Sequence, residues 1–130
     1  MFTEFRQIAF DSLAGAGLIP VYQYLTDDLG TLPQAQIGRP TLTPSGDLPG
    51  AWQIELNVYV LGARTNAAGT QAQLDEFVWE AVQALENAKP GLGLVTATTV
   101  ADVTPGVTPV AGQDYPSYII RFVGTSQICR

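Results

Sequence analysis

The chain contains no histidine, one cysteine and one lysine among its 130 residues. Histidine is the commonest general base and metal ligand, so neither a Ser-His-Asp nor a Cys-His arrangement can be built. Zinc would have to use Cys129 with carboxylates alone, and one cysteine forms no internal disulfide. Lys89 belongs to no phosphate-binding loop pattern. We therefore expect no enzymatic activity, no metal and no cofactor.

Charge is also scarce. Charged residues make up 14% of the chain, whereas about 25% is typical. Much of the surface is therefore uncharged, which is easier to explain if partner proteins cover part of it. The net charge is −6, and the few cations are scattered: Arg6, Arg39, Arg64, Lys89, Arg121 and Arg130. Sequence-independent DNA or RNA binding needs clustered cations, so we do not expect it.

Long apolar runs are missing as well. No run approaches the roughly 18 residues that would predict a membrane-spanning helix. The first residues lack the basic start and apolar core of a signal peptide, so we expect synthesis and folding in a cytoplasm. The length indicates a single domain over residues 1–130, and an apolar fraction of 46% is sufficient for a core.

The clearest positive signal is a strand followed by a helix. Apolar and mostly polar residues alternate from Trp52 to Leu61, which predicts a half-buried strand. After a loop over 62–69, Thr70 and Gln73 have the spacing of a helix capping box. The apolar positions that carry the two periodicities are Trp52, Ile54, Leu56, Val58 and Val60 in the strand, and Leu74, Phe77, Val78, Ala81, Val82 and Leu85 in the helix.

Weaker patterns complete the fold prediction. Thr3 caps a first helix that ends at Gly15 and Gly17. The further strands predicted are Leu18–Leu25, a possible short strand near Gln36–Leu42, Leu94–Val103 and Tyr118–Val123. The order predicts an α+β domain with a mainly antiparallel sheet of four to five strands and two helices on one face.

Two segments rich in proline and glycine are predicted to be loops, Thr26–Gly50 and Thr104–Asp114. The first has few large apolar residues, so we expect it to be mobile in the free protein and to become ordered against a neighbouring subunit or another protein of the same assembly. Arg39 is its candidate for a charged contact across that boundary.

Three residues are candidates for contacts between proteins. Trp79 lies off the centre of the apolar stripe of its helix, which fits either a subunit contact or a wide buried face. Arg39 and Arg64 lie in predicted loops, where they either pair with carboxylates of another subunit or remain solvated.

Taken together, these patterns resemble one family. An N-terminal helix, the strand Gln53-Ile54-Glu55-Leu56-Asn57-Val58-Tyr59-Val60, the helix with Gln71-Ala72-Gln73-Leu74-Asp75, and the late Tyr115-Pro116-Ser117-Tyr118-Ile119-Ile120-Arg121-Phe122 follow in the same order. The chain looks like the tail terminator, or tail-completion, proteins of long-tailed bacteriophages.

The resemblance implies a structural role in a virion, after synthesis in the cytoplasm of a host bacterium. Such proteins form a hexameric ring on the tail tube protein, end its polymerisation and dock to the head–tail connector protein, while DNA passes through without specific binding. The tail tube is then the other protein against which the segment Thr26–Gly50 is expected to become ordered. An acidic protein with little lysine is compatible with that passage. The alternatives are a head–tail connector or stopper of the same particle, a small-ligand-binding α+β domain and, least favoured, an enzyme.

Overall fold

The fold is a six-stranded sheet with two helices against it. A computed structural model describes residues 2–18, 21–22, 24–25, 32–44, 51–63, 68–88, 95–110 and 112–127. The elements are α1 (Phe2–Gly15), β1 (Val21–Tyr22), β2 (Gln34–Ile37), β3 (Thr41–Pro44), β4 (Ala51–Leu61), α2 (Ala68–Glu86), β5 (Val95–Val110) and β6 (Gln113–Gln127). Neither described helix has the length and apolar character needed to cross a membrane.

The sheet has the order β1-β2-β4-β6-β5, and β3 pairs with β4 off this path. Among the described strands, β1 and β2 run parallel and the other pairs are antiparallel. The α+β class and the mainly antiparallel sheet are therefore confirmed, with six strands rather than four to five.

The alternation predicted for the central strand is present. Ile54, Leu56, Val58 and Val60 of β4 are buried, while the residues between them are exposed or half-buried. Their face is covered by the helices through one hydrophobic core, whose helical members are Phe5, Ala9, Leu13, Leu74, Val78, Ala81 and Leu85. We call the opposite side of the sheet the outer face.

The two helices pack against each other and against the same face of the sheet. α1 lies mainly against β1, β2 and β4 and also reaches β6, where Phe5 contacts Phe122, whereas α2 contacts β4, β5 and β6. α1 ends as predicted, because Gly17 has a φ of 82° and its amide donates to the Ala14 carbonyl. α2 begins at Ala68, so Thr70 lies in the first turn and not at the predicted cap.

The prediction of a loop over Thr104–Asp114 is wrong. β5 continues to Val110, β6 starts at Gln113, and Gly112 in the turn between them has a φ of 79°. Pro105 and Pro109 indicated a loop, but β5 is an edge strand, where a missing amide donor is tolerated. Pairing with β4 ends at Ser117 of β6, so the end of the hairpin extends beyond β4.

The predicted loop Thr26–Gly50 also needs correction. It contains β2 and β3, both paired with β4, in place of the single possible strand Gln36–Leu42. The chain passes from one to the other at Gly38, whose amide donates to the Asn57 carbonyl at 2.8 Å. Residues 26–31 and 45–50 lie outside the described residues. Of the strand predicted over Leu18–Leu25, β1 is observed, while residues 19, 20 and 23 lie outside the described residues.

Candidate functional site

Acidic side chains of the described residues do not gather into a metal site. No group of three or more His, Cys, Asp or Glu residues lies close enough together there to hold an ion. The carboxylates that approach a cation among the described residues pair with Arg121 on the outer face, at 3.0 Å from Asp102 and 3.9 Å from Glu55. This arrangement links β4, β5 and β6 and is a feature of the sheet surface.

A basic and apolar surface lies beside β1 and β2. Arg6, Tyr24, Leu25 and Arg39 surround a depression of about 350 Å³ whose floor includes Ile37. The Arg6 guanidinium carbon stands 4.3 Å from the centroid of the Tyr24 ring, a cation–π contact. Tyr24 and Leu25 are 59% and 57% exposed. We call this the Arg6–Arg39 surface.

This surface holds two of the three cations in the described part of the chain. The cations among the described residues are Arg6, Arg39 and Arg121. Arg121 is held in its two ion pairs, whereas neither Arg6 nor Arg39 has a carboxylate partner in the described part of the chain. Two arginines with exposed apolar neighbours therefore face outward on one side of the molecule.

An acidic and apolar surface lies beside β5. Asp75, Trp79, Val82 and Glu86 follow one another at helical spacing, so they share one flank of α2. The ends of that flank reach the sheet: the Tyr118 hydroxyl donates to Asp75 at 3.2 Å, and a β5 amide donates to Glu86 at 2.9 Å. Trp79 therefore lies on the side of α2 that faces β6 and β5.

Trp79 is 62% exposed, and Val103 on the helix-covered face of β5 is 36% exposed. Glu76 and Glu80 are exposed on the same helix, and neither bonds to a group within the described residues. α2 contains no lysine or arginine. We call Glu76, Trp79, Glu80 and Val103 the α2–β5 surface.

The end of the long hairpin lies over the outer face. Residues 107–110 line a cavity of about 460 Å³ together with Leu25, Gln36, Tyr59 and Ile119. Val110 and Gln36 are buried there. A smaller cavity of about 260 Å³ lies between the start of α2 and the hairpin and contains the Asp75–Tyr118 hydrogen bond.

The predicted contact residues fall in separate places. Arg39 is exposed between β2 and β3, and Trp79 is exposed on α2; Arg64 lies outside the described residues. Arg6 and Tyr24 are not among the contact residues predicted from the sequence. Their contact joins α1 to the segment after β1 through the tertiary fold, so no local pattern could have indicated it.

In comparisons with known proteins, no family model matches the chain, and no curated protein is significantly similar to it in sequence.

Proposed function

We propose that the chain is a structural virion protein that forms a closed ring, hexameric by its resemblance to tail terminators, on the end of a phage tail tube. In this role the ring ends polymerisation of the tube protein and joins the tube to the head–tail connector. The chain acts by assembly and carries out no chemical reaction.

One observation carries the proposal: exposed large apolar side chains occur at both lateral sides of the sheet. Tyr24 and Leu25 lie beside β1, and Trp79 and Val103 lie beside β5. Aromatic residues are enriched in the cores of interfaces. A subunit with one contact surface on each side binds two neighbours at once, which is what a ring of head-to-tail contacts requires.

The charge distribution is compatible with DNA passing through such a ring. The chain has a net charge of −6. Phosphate groups would be repelled more than retained, so the DNA could slide.

The test is the oligomeric state followed by imaging. Light scattering of the purified chain, alone and with tail tubes, gives the mass, and negative-stain microscopy gives the shape. We expect ring-shaped particles, and tubes capped at one end. A protein that stays monomeric and leaves tubes uncapped and growing would contradict the proposal. A ring that binds connector but leaves tube growth unaffected would favour the connector or stopper role.

The outer-face cavity favours a second candidate, a small-ligand-binding domain. Its volume of about 460 Å³, with a buried glutamine and a tyrosine among apolar residues, suits a small molecule. A monomer whose melting temperature rises with one metabolite of a screened library, and does not rise in a Gln36→Leu variant, would support that candidate over the ring.

A further inference from the structure

We propose that the Arg6–Arg39 surface of one copy binds the α2–β5 surface of the next copy. This deepens the proposed function and rests on it, because it names the two surfaces that meet at each boundary of the ring. The occupant of each surface is thus a second copy of the same chain.

Charge complementarity is the first argument. Arg6 and Arg39 have no carboxylate partner among the described residues, and Glu76 and Glu80 have no cation partner there. The guanidinium group is the cation best suited to carboxylate pairing across an interface. Two acidic surfaces, or two basic ones, would repel each other, so the contact has a direction.

Apolar complementarity is the second argument. The basic surface offers the half-exposed Tyr24 and Leu25 beside its depression, and the acidic surface offers Trp79 and Val103. A tryptophan ring between carboxylates can enter a depression flanked by arginines, where its face also attracts a guanidinium group. Burial of these side chains removes apolar area that a monomer would leave in water.

The positions of the surfaces are the third argument. One lies beside β1 and β2 and the other beside β5, with β4 and β6 between them. Four strand spacings of about 4.8 Å give a separation of roughly 19 Å across the sheet. One copy therefore uses both surfaces at the same time, and the contact is heterologous, as a closed ring demands.

The experiment exchanges the charges. The first variant carries Arg6→Glu with Arg39→Glu, and the second carries Glu76→Arg with Glu80→Arg. In the first variant both surfaces are acidic, and in the second the new cations at positions 76 and 80 oppose Arg6 and Arg39 of the next copy. We expect each variant alone to be monomeric by light scattering and an equal mixture to assemble, since every contact between unlike variants is attractive.

The mixture also tests the number of copies in the ring. Alternation around a closed ring needs an even number of copies, so a hexamer forms from three of each variant. A variant with all four substitutions restores attraction between identical copies and should form rings alone. Gln53→Lys with Thr99→Lys, two exposed outer-face positions, is the control and should assemble like the unmodified chain.

Each outcome of this experiment supports or contradicts the surface pairing. If either charge-reversed variant forms rings alone, the surface pairing is wrong and the ring proposal stands. The same conclusion follows if neither the mixture nor the variant with all four substitutions assembles. Unmodified chain that forms no ring alone or on tubes would overturn both. Misfolding is distinguished by melting curves, and Arg39→Glu and Glu80→Arg, which change one exposed residue each, repeat the test.

Discussion

The Phe5 ring of α1 stacks on the Phe122 ring of β6, with centroids 5.0 Å apart and ring planes within 4° of parallel. Both side chains are fully buried. The stack fastens the first helix of the chain to its last strand, so the two ends of the domain depend on each other for stability.

Truncation of this pair should be costly. Phe122→Ala is expected to lower the free energy of unfolding by about 3–5 kcal/mol, because it leaves a cavity beneath Phe5. Phe2→Ala, at a position 49% exposed on the same helix, is the control and should change it by less than about 0.5 kcal/mol. Denaturant unfolding of both variants measures the difference; equal values would contradict the prediction.

A glycine beside the stack should not tolerate a methyl group. A Cβ at Gly124 would stand 2.7 Å from Cε1 of Phe5 and 3.2 Å from Cγ1 of Val95. The Phe5 ring is enclosed and cannot move aside, so we expect Gly124→Ala to cost about 1–3 kcal/mol. Gly106 has open space at its Cβ position, and Gly106→Ala should leave the melting temperature near that of the unmodified chain. The reverse order would show that the ring is mobile.

Trp79→Ala should affect assembly and spare the fold. The side chain is 62% exposed, so the unfolding free energy of the monomer should stay within about 0.5 kcal/mol of the original value. Loss of an aromatic residue central to an interface weakens association by about 2 kcal/mol, roughly 30-fold. The buried Leu85 provides the contrast, since Leu85→Ala should cost about 2–5 kcal/mol of stability. Sedimentation and melting curves separate the two effects.

The Tyr118 hydroxyl should titrate at unusually high pH. Burial, the nearby Asp75 charge and the hydrogen bond to Asp75 raise the Tyr118 pKa above its ordinary value of 10.0. The protonated form is favoured by folding, so its contribution to stability is present below the unfolded pKa and is lost as pH rises through the higher folded pKa.

Asp75→Asn should lower the Tyr118 pKa without returning it fully, because burial remains. Phenolate absorbance, taken as the difference between each protein and its Tyr118→Phe counterpart, measures this. An unchanged titration in Asp75→Asn would show that the carboxylate has no influence.

Duplex DNA should bind weakly or not at all. The chain carries a net charge of −6, and phosphate contacts need clusters of lysine and arginine. Fluorescence anisotropy with a labelled duplex at physiological salt should give no submicromolar Kd, and Glu76→Arg with Glu80→Arg should bind more than the unmodified chain. A submicromolar Kd that weakens as salt is added would contradict the charge argument.

The sequence predicts β4 and α2 well because the spacing of apolar residues in each element indicates which of its faces is buried. Ile54 to Val60 alternate, and Leu74 to Leu85 recur at helical spacing. The sequence predicts the β5–β6 hairpin poorly because Pro105 and Pro109, considered with their sequence neighbours alone, indicate a loop. Their place on an edge strand depends on pairing with β6, which is a property of the whole sheet.

The candidate surfaces follow the same rule. The angle of Trp79 on the helix left two options, a subunit contact or a wide buried face, and the folded chain exposes it. The meeting of Arg6 with Arg39 could not, because one belongs to α1 and the other follows β2, and only the folded chain brings them to the same depression.

The two prolines of β5 also affect whether another strand can pair with this edge of the sheet. A sheet edge normally offers a row of backbone donors to any passing strand, and growth by strand addition has no natural end. Pro105 and Pro109 remove donors from this edge, and register shifts between Val95 and Ala97 and between Val100 and Asp102 disturb its regularity. Contacts made by side chains can close on themselves after a few copies. Pro105 and Pro109 therefore disfavour open-ended growth by strand addition at this edge, and they are the same residues that make the sequence of β5 look like a loop.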